Sequence, residues 1–305
     1  FFKKNKNSIP IYNHILVDEY QDINTLQFEL INLLNPDNLF CVGDPRQSIY
    51  GWRSSKVEFI LDFEKLFNDS VVLQLSTNYR SQKSIVDVCN KMINTMKLPD
   101  LQVSNGDEGS VKLIKHGSED SEAIFITQSV LSMKNERKNI FVLSRTNKQI
   151  ENIAKLFDMN NIKYLKRTIE ESKQNIDATS DQVTLSTIHA IKGLEADTVY
   201  IMGVNNRYFP CKAIEHPILE AVKINDTYDK YEEERRLLYV AMSRAKKSLI
   251  VNYTSTISKF LTESLFKQKV KKNSQIKYKV QGTKNLYSAL KSWRLSIASE
   301  LGVPA

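Results

Sequence analysis

The stretch His14 Ile15 Leu16 Val17 Asp18 Glu19 Tyr20 Gln21 Asp22 decides how the rest of the chain reads. An apolar run that ends abruptly in two carboxylates fits a buried parallel strand delivering Asp and Glu to the carboxyl edge of a sheet, where nucleotide sites form. In this arrangement, known as Walker B, Asp18 is placed to hold a Mg²⁺ ion, usually through water. Glu19 is placed to orient and deprotonate the water that attacks a γ-phosphate. Alone, the same residues also suit an ordinary strand running into an acidic turn. The blocks that follow remove the tie.

Leu39 to Val42 forms a second apolar strand and runs into Gly43 Asp44 Pro45 Arg46 Gln47 Ser48 Ile49 Tyr50 Gly51 Trp52 Arg53. A third, Val71 to Leu75, leads into Asn78 Tyr79 Arg80 Ser81. Later come Val183 Thr184 Leu185 Ser186 Thr187 Ile188 His189 Ala190 Ile191 Lys192 Gly193 Leu194 Glu195 and then Glu232 Glu233 Glu234 Arg235 Arg236 Leu237 Leu238 Tyr239 Val240 Ala241 Met242 Ser243 Arg244 Ala245 Lys246 Lys247. In order, the five blocks closely resemble motifs II, III, IV, V and VI of the superfamily 1 helicases of the UvrD/Rep type, over residues 14 to about 254.

That resemblance implies an α/β fold: a RecA-like P-loop NTPase helicase core, with a partial first domain and a second RecA-like parallel-sheet domain. It implies ATP and Mg²⁺ as the nucleotide and ion, single-stranded and duplex DNA as partners, and translocation from 3′ to 5′ on single strands. Asp18, Glu19, Gln47, Arg80 and Arg244 match catalytic positions, Asp18 being the one at the metal. The two arginines match those that contact the γ-phosphate, and fixed guanidinium groups are suited to neutralising charge that develops on a transferred phosphoryl group. Gln47 matches the residue that senses the γ-phosphate. Tyr79 matches an aromatic that stacks on adenine, Glu195 a carboxylate at the ribose, and Gly193 a point of close backbone approach to phosphates.

On the DNA side stand Tyr50, Trp52, Arg53 and His189. Aromatics beside a basic side chain give stacking faces for unpaired bases, worth about 1–3 kcal/mol per base and tolerant of sequence. Out of context Trp52 would suit a core position and His189 a satisfied structural one. Lys192 and Arg235 are long basic side chains of a kind commonly solvated, and no role is assigned to them. The chain departs from the family pattern at Pro45 and Arg46 (often acidic), Ser54 (Gly), Ile191 (small), Ala196 (aromatic) and Ser243 (Thr). None of these changes removes a catalytic function, and Ser243 keeps the hydroxyl.

A chain of 305 residues has length for about two domains. Its net charge of +8 fits a polyanionic partner. The three cysteines lie far apart without metal-binding spacing, which fits a reducing, cytoplasmic setting. No apolar run approaches the roughly 18 residues of a membrane span, and the start Phe1 Phe2 Lys3 Lys4 is no secretory signal. No Gly-x-x-x-x-Gly-Lys-Ser/Thr pattern occurs, so the phosphate-cradling loop is missing and a fragment of a longer helicase is expected.

Residues 1–78 read as the back half of the first domain, with helices at Thr25 to Leu34 and Val57 to Phe67. Residues 79–268 read as the second, with strands at Val111 to Lys115, Ile140 to Ser144, Val183 to Ser186, Thr198 to Met202 and Ser248 to Tyr253. Its helices are expected at Asp120 to Lys134, Lys148 to Asn160 and Tyr231 to Ala245. Thr168 to Gln182 is too short to hold the helical subdomain that many family members insert there. A basic linker is expected at 269–285. Residues 286–305 resemble the start of an HRDC domain, and they equally suit an amphipathic terminal helix. The rival functional readings are a non-catalytic helicase-like module that binds DNA or a protein, and the helicase subunit of a nuclease-helicase.

Overall fold

The computed structural model describes residues 3–104, 106–133, 137–168, 178–211 and 229–266. The expected linker and HRDC-like segment lie outside the described residues, as does most of the polar gap after Thr168.

The acidic-ended strand forms as expected. β1 (His14–Val17) pairs in parallel with β2 (Asn38–Cys41), Leu16 lying beside Phe40 in the register. The crossover between them carries α1 (Thr25–Leu34). Asn24 caps that helix by accepting the Gln27 N–H at 3.0 Å, while Gln27 Oε1 accepts the Asn24 N–H at 2.9 Å. One face of the pair packs on Tyr20, Ile23 and Ile31, with Phe59, Ile60 and Phe63 against them. On the other, Leu16 and Phe40 are exposed.

Two expectations in this part are corrected. Val57 to Phe67 is not one helix but two single turns, α2 (Glu58–Leu61) and α3 (Phe63–Leu66), hinged at Asp62. Val71 to Leu75 is not a strand: no strand pairs with it among the described residues, and Leu73 and Leu75 are 83% and 92% exposed. Pairing begins only at β3 (Thr77–Asn78), which lies parallel to β4 (Gln102–Val103). Between these strands runs α4 (Lys83–Ile93), whose eight buried residues make it the most interior helix before the main sheet, although no helix was expected there.

The main sheet is six-stranded and wholly parallel, in the order β5-β10-β9-β6-β8-β7. Its strands are β5 (Ser110–His116), β6 (Ile140–Ser144), β7 (Tyr164–Arg167), β8 (Val183–Thr187), β9 (Ala196–Ile201) and β10 (Ala245–Thr254). Helices α5 (Glu119–Ser132), α6 (Asn147–Met159) and α7 (Lys230–Met242) complete it. Alternate residues of one strand serve opposite faces: Phe141 and Leu143 join the cluster with α4 and α7, while Ile140 and Val142 join α5 and α6. Burial on both faces explains why β6 reads as an unbroken apolar run. The fold is mixed α/β around a parallel sheet, as the sequence led one to expect of a RecA-like core.

Candidate functional site

Past Val17 the chain turns sharply. Glu19 takes the left-handed conformation (φ 51°), rare for a residue with a Cβ, and its N–H donates to Asp18 Oδ1 at 2.8 Å. The following turn buries Gln21, which is 1% exposed. Gln21 Nε2 donates to Glu19 Oε2 at 2.6 Å, and Gln21 Oε1 accepts the Asp44 N–H at 2.9 Å. One amide therefore ties together the loops leaving β1 and β2. Asp18 stays exposed, and its second oxygen has no protein partner among the described residues. A single open carboxylate fits Mg²⁺, which keeps several waters and takes one or two carboxylates plus phosphate oxygens. Among the described residues no cluster of three or more metal ligands exists to favour a caged ion instead.

Lys192, to which the sequence assigned nothing, reaches into this acidic corner from the turn after β8. Its Nζ lies 3.2 Å from Glu19 Oε2, contacts the Asp22 carboxylate, and donates to the Gln47 carbonyl at 3.1 Å. Burial pushes the Asp22 pKa up, and the Lys192 ammonium opposes that shift. The second Asp22 oxygen, Oδ1, is buried with no partner.

Gln47 is the meeting point of the two parts of the chain. Its Nε2 donates to Asp44 Oδ2 at 3.0 Å, and its Oε1 accepts from Arg244 Nη2 at 3.1 Å. Arg244 is 1% exposed, with further bonds to the carbonyls of Val240 and Leu194 and to Ser243 Oγ. Burial and the nearby Arg80 charge bring its pKa down to about 10, which leaves it cationic at neutral pH. Arg80 donates to Glu195 Oε2 at 2.5 Å and to the Ser243 carbonyl at 3.5 Å. Lys246 holds the other Glu195 oxygen at 2.6 Å, and the hydrogen bonds from Lys246 and Arg80 keep that carboxyl below the usual range. Arg80 and Glu195, read separately from the sequence, are thus partners here. Tyr79 is 83% exposed, a free ring face beside them. At Gly193 a Cβ would meet nothing within 4 Å, so its φ of +88° rather than close approach is what calls for glycine.

The expected DNA-side residues also converge. A helical turn, Gly51–Arg53, presents Trp52 with the Arg53 guanidinium 4.4 Å from its ring centre and 5.4 Å from that of Tyr50. His189 lies 6.4 Å from both aromatic rings, and its carbonyl accepts from the Tyr50 hydroxyl at 3.4 Å. Burial, with the Arg145 and Arg53 charges, lowers the His189 pKa to about 3, so the imidazole is neutral.

The acidic and basic residues opening α7 carry polar contacts that the sequence did not foretell. Glu232 accepts from Thr95 Oγ1 at 3.0 Å and Glu233 from the Gly51 N–H at 2.7 Å. Glu234 takes the Arg145 guanidinium on both oxygens, and Arg236 Nε donates to the Ser48 carbonyl at 2.7 Å. Consecutive charges on a helix cannot all face water, and that was the available signal.

Comparison with known proteins agrees with this architecture. Residues 73–170 and 164–256 match the UvrD-like helicase C-terminal domain, and residues 6–68 the UvrD/REP helicase N-terminal domain. A probable DNA helicase of Mycoplasma pneumoniae is 33% identical over 251 residues, covering 78% of this chain and 43% of that protein. The ATP-dependent DNA helicase PcrA of Leuconostoc citreum is 35% identical over 162 residues, covering 50% of this chain and 22% of that protein. The chain thus spans less than half the length of these relatives. The solved C-terminal domain of a possible DNA helicase from Lactobacillus plantarum aligns with a TM-score of 0.44 at 16% identity, covering 62% of this chain and 96% of that one.

Proposed function

Because the chain belongs to the UvrD-like helicase family, we propose that it is the part of an ATP-dependent DNA helicase that senses the nucleotide and grips a single strand. The observation that carries this reading is the Gln47–Arg244 hydrogen bond, which joins a glutamine beside the β1 and β2 strand ends to a buried cation after α7, three residues from Tyr50 on the strand loop.

In this reading Asp18 is the ligand of Mg²⁺, which when bound supplies positive charge to the phosphate oxygens. Glu19, held by Gln21 and Lys192, orients the attacking water and takes its proton. Arg80 and Arg244 neutralise charge developing on the phosphoryl group, which requires Arg80 to leave Glu195. Tyr79 stacks on the adenine, Glu195 then accepts from the ribose, and the Gly193 backbone lies along the phosphates. Tyr50, Trp52 and Arg53 take up unpaired bases, and the neutral His189 donates to the strand backbone. The motor runs 3′ to 5′ on single strands and opens duplex DNA in replication, repair or recombination, in the cytoplasm. No described helix is long and apolar enough to cross a membrane.

The test uses the full-length protein. ATP hydrolysis should rise with added single-stranded DNA, and 3′-tailed but not 5′-tailed duplexes should be unwound. Arg244→Ala should lower turnover by about a hundredfold or more while nucleotide affinity changes less than about tenfold, because its charge acts chiefly in the transition state. This chain by itself, lacking the phosphate loop, should bind single strands without turning over ATP. Hydrolysis indifferent to DNA, or full turnover by Arg244→Ala, would overturn the reading.

A further inference from the structure

Glu233 and Arg236 are both buried, and each spends a charged hydrogen bond on backbone of the strand loop. Their targets flank the working residues: Arg236 holds the carbonyl of Ser48, and Glu233 holds the N–H of Gly51, next to Tyr50 on one side and Trp52 on the other. Between them Ile49 is fully buried in the cluster that includes Leu237, Leu238 and Val240 of α7. The loop has little local stability, since its helical content is two short turns, Pro45–Gln47 and Gly51–Arg53. Its position is set from two sides: Ser48 Oγ donates to the Gln21 carbonyl at 3.0 Å and Ser55 Oγ to the Asp22 carbonyl at 2.7 Å, while α7 holds the Ser48 carbonyl and the Gly51 N–H.

The same helix ends beside Arg244, whose guanidinium holds the Gln47 side chain. From Glu233 to the end of α7 at Met242 is roughly 14 Å of helix, a stiff rod on this scale, and Arg244 follows two residues beyond it. We infer that Glu233 and Arg236 are positioning residues that fasten the aromatic strand loop to the helix that leads into Arg244, so that α7 carries nucleotide state to strand grip. This deepens the function proposed above and rests on its assignment of Tyr50, Trp52 and Arg53 to the strand. Charge-assisted bonds to backbone suit the task, because they fix the loop without competing for the side chains that meet the bases.

The experiment measures affinity of this chain for a labelled oligothymidine, comparing wild type with Trp52→Ala, Glu233→Ala, Glu233→Asp, Glu233→Gln and the double variant Trp52→Ala/Glu233→Ala. Trp52→Ala and Glu233→Ala should each weaken binding about tenfold, the scale of one lost stacking contact. Glu233→Asp, one methylene too short to reach Gly51, should follow Glu233→Ala and covers the case in which the alanine variant melts. Glu233→Gln keeps an acceptor oxygen and should restore most of the affinity. If Glu233 acts through Trp52, the double variant should bind within about twofold of Trp52→Ala. In the full-length protein, Glu233→Ala should cut the DNA stimulation of hydrolysis at least about fivefold, with hydrolysis in the absence of DNA within about twofold of wild type. Additive losses in the double variant, or wild-type binding by both Glu233→Ala and Glu233→Asp, would overturn the inference alone. No binding by the wild-type chain, or binding indifferent to Trp52→Ala, would overturn the strand assignment and this inference with it.

Discussion

Glu122 is a carboxyl held almost wholly out of water. It lies in the first turn of α5, 2% exposed, and accepts the Gly203 N–H at 2.7 Å. Burial raises its pKa from the ordinary 4.5 to about 7, against the lowering effect of that hydrogen bond and with a small push from Glu119. A carboxyl with a raised folded-state pKa binds more protons folded than unfolded between those two values, so its contribution to stability falls as pH rises from about 4.5 through about 7. Glu122→Gln, which keeps an acceptor for Gly203, should therefore melt higher than wild type at pH 8, by on the order of 1–3 kcal/mol, with the advantage shrinking towards pH 5. Thermal melts at several pH values check this, and a pH-independent difference would refute it. No motif pointed to Glu122. Residues matching a motif, such as Gln47, Arg80 and Arg244, could be named from the chain. Gln21, Lys192 and Glu233 could not, because their partners lie far away in sequence and only folding brings them together.

Five strands and the three helices of the main sheet were legible to within a few residues, from inner apolar runs such as Ile140 to Ser144 and from caps such as Ser118 and Thr146, whereas the polar edge strand β7 was not among those expected. α4 escaped notice, since its register of Ile85, Val88, Cys89 and Met92 is interrupted by polar residues that are themselves buried, Ser84 and Asn90 among them. Val71 to Leu75 misled for the opposite reason: apolar composition marks a segment fit for a strand but supplies no neighbour to pair with. At the end of β9 the backbone matters more than composition. Gly203 has φ +63°, and a Cβ there would come within 2.2 Å of Gln149 Nε2. Gly203→Ala should cost about 1–3 kcal/mol and displace the Gln149 amide, read as a lower denaturation midpoint. An unchanged midpoint would show that the loop relaxes freely.

Across the whole molecule the two parts differ in how completely they cover their sheets. The six-stranded sheet has helices on both faces, whereas Leu16 and Phe40, side by side in the register, face outward from β1 and β2. Exposed apolar neighbours of this kind promote association. This chain should bind a hydrophobic dye, and Phe40→Lys should reduce that binding while moving stability by no more than about 0.5 kcal/mol. A large loss of stability would show that the ring is needed where it lies. The contacts joining the two parts have another character. Lys192 to Glu19, Asp22 and Gln47, Arg244 to Gln47, Glu233 to Gly51 and Arg236 to Ser48 are polar, with Ile49 as an apolar plug among them. Hydrogen bonds fade within about an ångström of extra separation, and a packed apolar plug has discrete seats rather than a continuous range of positions. A joint built this way behaves like a detent in a machine: it holds at defined notches and resists resting between them.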